Sequence, residues 1–390
     1  MAGRRHAEIA GAGLGGLTLA AALAQRGWSV RVHERAPHLR DIGVGTSIWE
    51  NGHRALEAVG ALEEVMSYGT RIVRAELIDH RQKPVRIQEY NDTDNRALVV
   101  LRVDHHRALV NASTKAGVEI VTSSQAVGAD PKGALILESG ERLPADLVVG
   151  CDGYNSKVRD SLGLAEEIGF VTEAFTGRLT VPREERPEFE INQNYWNGHR
   201  RVGVLSCGPV NYVYLCAPEN CPHNPEEVSS KSFNKQIWTE AFPFLKDKFE
   251  RADAQVIWNR YNMVRCKAWS AGRVAVLGDS AHSMPPLLAQ GAGCAMANAV
   301  ALAEAVRGDV DIPSALVGWE KRERHVTDIT QRWAVLSLIL AKRWPLNLLD
   351  MRSDMMAEAF SSPGLMAHYL SATRHVVKTS KPVQQTAPAS

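Results

Sequence analysis

The residues best suited to chemistry lie in 273–293, RVAVLGDSAHSMPPLLAQGAG. Arg273-Val274-Ala275-Val276-Leu277 is an apolar run of buried-strand length that stops at Gly278-Asp279, so a carboxylate is delivered at a strand's carboxyl end. Open α/β sheets hold ligands at that end. Pro285-Pro286 then bars helix, and Gln290-Gly291-Ala292-Gly293 leads into an Ala-rich run, 294–306, of helical composition. Small residues at a helix start let a large planar group approach unpaired backbone N–H groups. The positive helix end would suit a ring system that becomes anionic on reduction. A buried strand, a proline loop and a core helix are the plain structural alternative.

Two further stretches share that strand-end character. Ala7-Glu8-Ile9-Ala10 reads as a strand, followed by Gly11-Ala12-Gly13-Leu14-Gly15-Gly16, a helix over 17–26 and a second strand over 29–33 closed by Glu34. In this βαβ fingerprint Gly11 makes the turn, Gly13 admits a pyrophosphate, Gly16 allows helix-on-strand contact and Glu34 takes a ribose hydroxyl pair. An acid there repels a 2′-phosphate, which selects FAD or NAD over NADP. The second stretch, Asp152-Gly153 with Arg159, follows a buried strand over 145–150 and, taken alone, reads first as a polar turn capping a helix. Arg102 stands at the mouth of a helix over 104–116, where an ordinary surface arginine is the alternative. His282 reads either as a group titrating near neutrality or as a hydrogen-bonded structural residue.

The chain has 390 residues, 45% of them hydrophobic, enough for two lobes around a large core. Its 45 basic and 44 acidic residues leave a formal charge of +1, so nothing favours nucleic acid and the partner expected is a small molecule. Six cysteines are scattered without zinc-ligand spacing. They read as reduced thiols in a cytoplasmic protein without a metal. Residues 1–6 run into the first strand without a secretion signal, and the apolar run 334–340 is too short to span a bilayer. Monomer and homo-oligomer are both compatible with this sequence.

The elements that must position these residues follow from the pattern between them. Residues 41–47 form a glycine-punctuated loop, a helix begins near Trp49, and 71–90 alternates as strands do. Short strands over 118–121 and 135–138 precede the one at 145–150. From about 170 to 265 the texture changes to short strand-like pieces rich in aromatics. There the period of two puts Tyr212 and Tyr214 on one face, near Arg200 and Arg201. An aromatic-faced sheet with an arginine would hold a planar carboxylate, with Arg201 the first choice and Arg178 in reserve, although ordinary cross-strand pairs are the alternative. A helix over 314–340 is broken at Trp344-Pro345. The expected fold is α/β: a Rossmann-like domain for FAD or NAD from 1–70, 98–168 and 268–340, an inserted mixed-sheet substrate domain from 71–97 and 169–267, a C-terminal helical segment 341–378 and a disordered tail 379–390.

With three motifs in this order, the chain resembles the single-component FAD-dependent aromatic hydroxylases, the group of para-hydroxybenzoate hydroxylase, over roughly residues 5–340. The matching residues are the 11–16 glycine motif with Glu34, Arg102, Asp152-Gly153 with Arg159, and Gly278-Asp279 with His282, Pro285, Gln290 and Gly291. The resemblance implies FAD, NADH or NADPH as transient co-substrate, O2, and hydroxylation of an electron-rich aromatic carboxylate. It implies cofactor contacts at Gly11, Gly13, Leu14, Gly15, Gly16, Glu34, Arg35, Arg102, Asp152, Asp279, Pro286, Gly291, Ala292 and Gly293, and Pro285 over the reactive face of the flavin, while the strand pattern, not the resemblance, puts Arg201, Tyr212 and Tyr214 around the reacting ring. Segments 48–52, 240–245 and 288–296 are similar to hydroxypyridine-carboxylate oxygenases. That shifts the expected substrate toward 5-hydroxynicotinate or 2-methyl-3-hydroxypyridine-5-carboxylate, with ring opening or hydroxylation alone both open. Many salicylate-type enzymes carry a histidine where this loop reads Thr46-Ser47-Ile48, which weakens the hydroxybenzoate alternative. A non-catalytic flavin sensor is the third reading.

Overall fold

The computed structural model describes residues 4–39, 44–183, 189–217, 232–252, 256–342 and 344–378. At its centre a six-stranded sheet runs in the order Ser270–Ala271, Val274–Val276, Leu147–Gly150, His6–Ala10, Ser29–His33, Glu119–Val121. Every pairing is parallel except that of Ser270–Ala271. A parallel sheet is covered on both faces, and its central strands are accordingly apolar throughout: Leu147, Val148, Val149, Val274, Ala275 and Val276 are all fully buried. The register sets Ala10 beside Gly150 and Gly150 beside Val276. Gly11, Cys151 and Leu277 therefore leave the same sheet edge side by side, and three motifs distant in sequence meet there.

The helix Leu14–Ala24 is buried on nearly every side and packs against Gly291–Ala305, which is equally buried. Both begin three residues before the starts expected at 17 and 294. Glycines and small residues argue against helix by propensity, but at a helix start they leave the first N–H groups open to a ligand.

The second large sheet has nine strands. Its order is Ile257–Cys266, Ala165–Pro182, Val210–Ala217, Arg200–Cys207, Phe189–Asn197, Thr70–Ile78, Leu98–Leu101, Gly45–Ile48, with Pro84–Glu89 added beside Thr70–Ile78. It is mixed, since Phe189–Asn197 runs parallel to Thr70–Ile78 while the other pairs are antiparallel. Val202, Val213 and Leu215 on one face are covered by Trp238 and Phe249 of two short helices and by Phe242 between them. By alternation the residues between them turn to the opposite face.

Two strands depart from the expected division. Gly45–Ile48 is a strand, not part of a glycine loop, and it pairs with Leu98–Leu101, so both join the large sheet rather than the nucleotide-type half. Residues 41–43 of that loop lie outside the described residues. The C-terminal segment is helical as expected, in Leu349–Ser361, Pro363–Tyr369 and Ser371–Arg374. The tail 379–390 lies outside the described residues. Among the described residues no helix is long and apolar enough to cross a membrane. The fold is α/β, with a parallel sheet for the nucleotide motifs, an inserted mixed sheet and C-terminal helices.

Candidate active site

Between the parallel sheet's carboxyl edge and the inner face of the large sheet lies a cavity of about 1070 Å³. On the first side Gly13, Leu14, Gly15 and Gly16 line it. Gly11 has φ +102°, and a Cβ there would sit 2.3 Å from the Cys151 carbonyl oxygen, so only glycine makes this turn. A Cβ on Gly16 would lie 2.1 Å from the Gly11 oxygen, whereas one on Gly13 would meet nothing within 4 Å. Gly11 and Gly16 thus close the turn while Gly13 faces open space. These residues fit a dinucleotide cofactor: a helix N-terminus without side-chain capping, opened to a large cavity by a bare backbone.

Glu34 lies behind that turn, its carboxylate accepting the Ala12 N–H at 3.1 Å and the Ala36 N–H at 2.9 Å. Neither Glu34 nor the exposed Arg35 is among the cavity's lining residues, and neither is Gly11. Asp152 is likewise turned away. One oxygen accepts the Lys157 and Val158 N–H groups at 2.7 and 3.2 Å, and the other accepts the Ser280 hydroxyl at 3.1 Å. The helix-capping alternative therefore describes its carboxylate, while Cys151 and Gly153 beside it line the cavity. Ser280 was invisible as a sequence signal, yet it ties the motifs together: its Oγ also accepts the Gly153 N–H at 2.9 Å, and its carbonyl accepts from buried Arg159 at 3.3 Å.

Asp279 follows Gly278, whose φ of +67° bends the chain out of the strand. Its carboxylate is open to the cavity but hemmed by protein, and that burial raises its pKa against the opposing charge of Arg102. Arg102 is the first residue of the helix Arg102–Lys115 and also lines the cavity. Pro286 faces the cavity, whereas Pro285 is buried behind it and does not. Gly291 and Ala292 line it from the first turn of their helix. Gly293 is set back, since a Cβ there would lie 2.9 Å from the Asn51 and Gln290 amides, which bond each other. His282 is buried outside the cavity lining, its Nε2 beside the Asn298 amide at 3.1 Å and its ring against Trp269. Burial pushes its pKa down to about 4.

The opposite wall is the large sheet. Arg201, Tyr212 and Tyr214 all line the cavity, as the period of two required, and Arg178 joins them near the rim, bonded to Asn259 at 2.9 Å. The Arg201 guanidinium lies over Trp196 and Tyr214 at 5.7 and 5.5 Å and donates to Asn194 Oδ1 at 3.0 Å. The Tyr214 hydroxyl donates to the same oxygen. Arg201 Nε is buried without an acceptor, and no carboxylate pairs with this arginine among the described residues. Tyr214 keeps its proton, because burial raises the phenol's pKa far more than neighbouring Arg201 lowers it.

Sequence reasoning missed Asn192, Asn194, Thr46 and the stacked pair Trp49 and Tyr90, whose centroids are 5.3 Å apart, all lining the same cavity. For the asparagines a signal existed: both fall on alternate positions of Glu190-Ile191-Asn192-Gln193-Asn194, a polar row on one strand face.

The arrangement has known counterparts. A model of the FAD binding domain family matches residues 5–326. A probable 2-heptyl-3-hydroxy-4(1H)-quinolone synthase of Rhodococcus erythropolis is 37% identical over 336 residues, covering 84% of this chain and 86% of the other. The 3-hydroxybenzoate 6-hydroxylase 1 of Aquipseudomonas alcaligenes is 31% identical over 337 residues, covering 79% and 82%. The solved tetrameric form of 2-methyl-3-hydroxypyridine-5-carboxylic acid oxygenase superposes with a TM-score of 0.80 at 34% identity, covering 95% of this chain and 96% of that one.

Proposed function

The chain belongs to the FAD binding domain family and is a FAD-dependent aromatic-ring monooxygenase drawing electrons from NAD(P)H, and on that premise we propose that its substrate is a hydroxypyridine carboxylate such as 5-hydroxynicotinate or 2-methyl-3-hydroxypyridine-5-carboxylate. Membership of this family sets aside the reading of a non-catalytic sensor.

One observation carries the substrate reading: a cation, Arg201, faces the cavity with no counter-ion among the described residues and with aromatic rings on either side. A substrate carboxylate would supply the missing charge and accept from Nε. Asn194 accepts from both Arg201 and Tyr214, and because Arg201 also donates toward the Tyr214 oxygen, one lone pair of that oxygen is left for a proton donor on the ring. Tyr214 is therefore an anchor for a ring hydroxyl or N–H and not a base. Tyr212, against Tyr214 at 6.2 Å, extends that wall.

When bound, FAD supplies the activation of O2. The chain's own residues hold the ring in place, present the Gly291 helix start and Asp279 to the cofactor, and use Pro286 as a rigid wall that limits water. The scattered cysteines support a reducing, cytoplasmic setting.

A second reading rests on the relatives of 37% and 34% identity, whose names are quinolone synthases, and it puts a carboxylate-free ring in the cavity. The test is turnover by the purified holoenzyme with hydroxypyridine acids, hydroxybenzoates and a 4(1H)-quinolone, following NADH or NADPH loss and product mass. A hydroxypyridine acid is expected to give the fastest turnover; a gain of one oxygen marks hydroxylation, and of two oxygens and two hydrogens ring cleavage. Turnover confined to the quinolone would sink the carboxylate reading.

A further inference from the structure

Asn192 is 1% exposed, lines the cavity, and has neither Nδ2 nor Oδ1 bonded to any described residue. It sits in the strand Phe189–Asn197, in register with Ala75, two residues before Asn194 and so on the same sheet face. The contrast between the two is informative. Asn194 is spent on Arg201 and Tyr214, whereas no described residue bonds the Asn192 side chain. An amide that deep with both ends unmatched weakens the folded protein, and an apolar side chain of similar size would fill the place without that cost. Buried polar groups are bonded almost without exception, so those that are not point to a partner outside the chain.

We propose that Asn192 determines specificity by reading the polar edge of the substrate ring, Nδ2 donating to a ring-borne oxygen or ring nitrogen and Oδ1 accepting from a ring N–H or hydroxyl. Arg201 would hold the carboxylate and Asn192 the ring's own heteroatoms, which selects hydroxypyridines and pyridones over plain carbocyclic acids. Asn192 reads in both directions because an amide carries donor and acceptor together, the pair a hydroxypyridine presents in either tautomer. Thr46, whose buried Oγ1 also lacks a partner among the described residues, lines the same cavity and makes that wall polar as well. The inference rests on the reading that this cavity takes the aromatic substrate.

Its test is ligand titration of the FAD-loaded wild type, Asn192→Leu and Asn192→Asp, followed by the change in flavin absorbance, with 5-hydroxynicotinate and benzoate as the paired probes. Wild type is expected to bind 5-hydroxynicotinate about tenfold or more above benzoate. Asn192→Leu should erase that preference, leave benzoate within about twofold, and leave the ligand-free melting temperature no lower, since no hydrogen bond within the protein is removed. A wild type that prefers neither 5-hydroxynicotinate over benzoate nor 4(1H)-quinolone over naphthalene, a preference that survives in Asn192→Leu, or a lower ligand-free melting temperature with both ligands weakened alike would each overturn the assignment. Should Asn192→Leu fail to take up FAD, the near-isosteric Asn192→Asp must weaken 5-hydroxynicotinate about tenfold more than benzoate, and equal weakening counts against it. Failure of the carboxylate reading looks different: wild type would then prefer 4(1H)-quinolone to 5-hydroxynicotinate, while Asn192→Leu would still lose the preference for the quinolone over naphthalene.

Discussion

Asn194 shows how one side chain sets the roles of two others. By accepting from both Arg201 and Tyr214 it fixes the guanidinium against the rings and commits the phenol's proton, so what remains without a partner among the described residues is Arg201 Nε, with one Tyr214 lone pair beside it. That Arg201, Tyr212 and Tyr214 share one wall was legible in the sequence because the period of two sets both tyrosines on one face, with the arginine on a neighbouring strand. For Asn192 and Asn194 the alternation was there to read, but a polar residue on a strand implies no role until the burial of its face is known. The same holds for His105, fully buried with neither ring nitrogen bonded, its pKa pushed down to about 3 mainly by burial and also by the charges of Arg102 and His106. A histidine depressed in the folded state is neutral there and takes a proton only on unfolding, so its contribution to stability is complete above about pH 6.5 and is lost as pH falls toward the folded value. His105 should therefore cost the protein on the order of 2 kcal/mol between pH 7.5 and pH 5. Thermal and denaturant melts across that range should show Asn- or Leu-substituted protein, His105→Asn or His105→Leu, losing less stability by about that amount; an unchanged acid slope would show that His105 is not held neutral.

At the level of elements, the aromatic wall depends on two glycines placed beneath it. Gly203 pairs across the sheet with Tyr214, and a Cβ on it would fall 2.0 Å from the ring's Cε1; one on Gly45 would fall 2.5 Å from Cδ1 of Tyr212. Neither position needs a left-handed backbone, and what each contributes is the missing side chain. Gly203→Ala should push the Tyr214 ring off the strand and its hydroxyl off Asn194. The expected cost is about 1–3 kcal/mol of stability, read in denaturant melts, together with weaker binding of the aromatic acid. Unchanged stability and affinity would mean that the ring has room to yield. The strand Gly45–Ile48 was not legible because its ladder partner, Leu98–Leu101, lies some fifty residues on, and strand character there comes from pairing rather than from local pattern. The βαβ unit was legible nearly to the residue, since Ser29–His33 is the strand expected at 29–33 and its glycines serve local geometry.

Across the whole molecule, the parallel sheet and the large sheet enclose one cavity, and the C-terminal helices return to it. Tyr369 and Thr373 line it, the Gln290 amide donates to the Thr373 hydroxyl at 2.7 Å, and Arg86 lies over the Tyr369 ring at 5.2 Å. Helical texture in that segment was readable; its return to the site was not, because the apolar face alone does not say which surface it covers. The three strand-end motifs were legible as a set, and the sheet register explains why, with Gly11, Cys151 and Leu277 leaving adjacent strands at the same edge. What the sequence left open was the division of labour there, in which Gly13, Asp279 and Gly291 face the cavity while Asp152 and Glu34 brace the turns behind it. The central claim is that Arg201, a cation on the large sheet without a counter-ion among the described residues, holds an aromatic carboxylate opposite the cofactor. Titrating FAD-loaded wild type and Arg201→Ala with 5-hydroxynicotinate, by the change in flavin absorbance, tests it most directly. The account predicts saturable binding to wild type and affinity lower by about 100-fold in Arg201→Ala at equal flavin content, and equal affinity in the two proteins would contradict it.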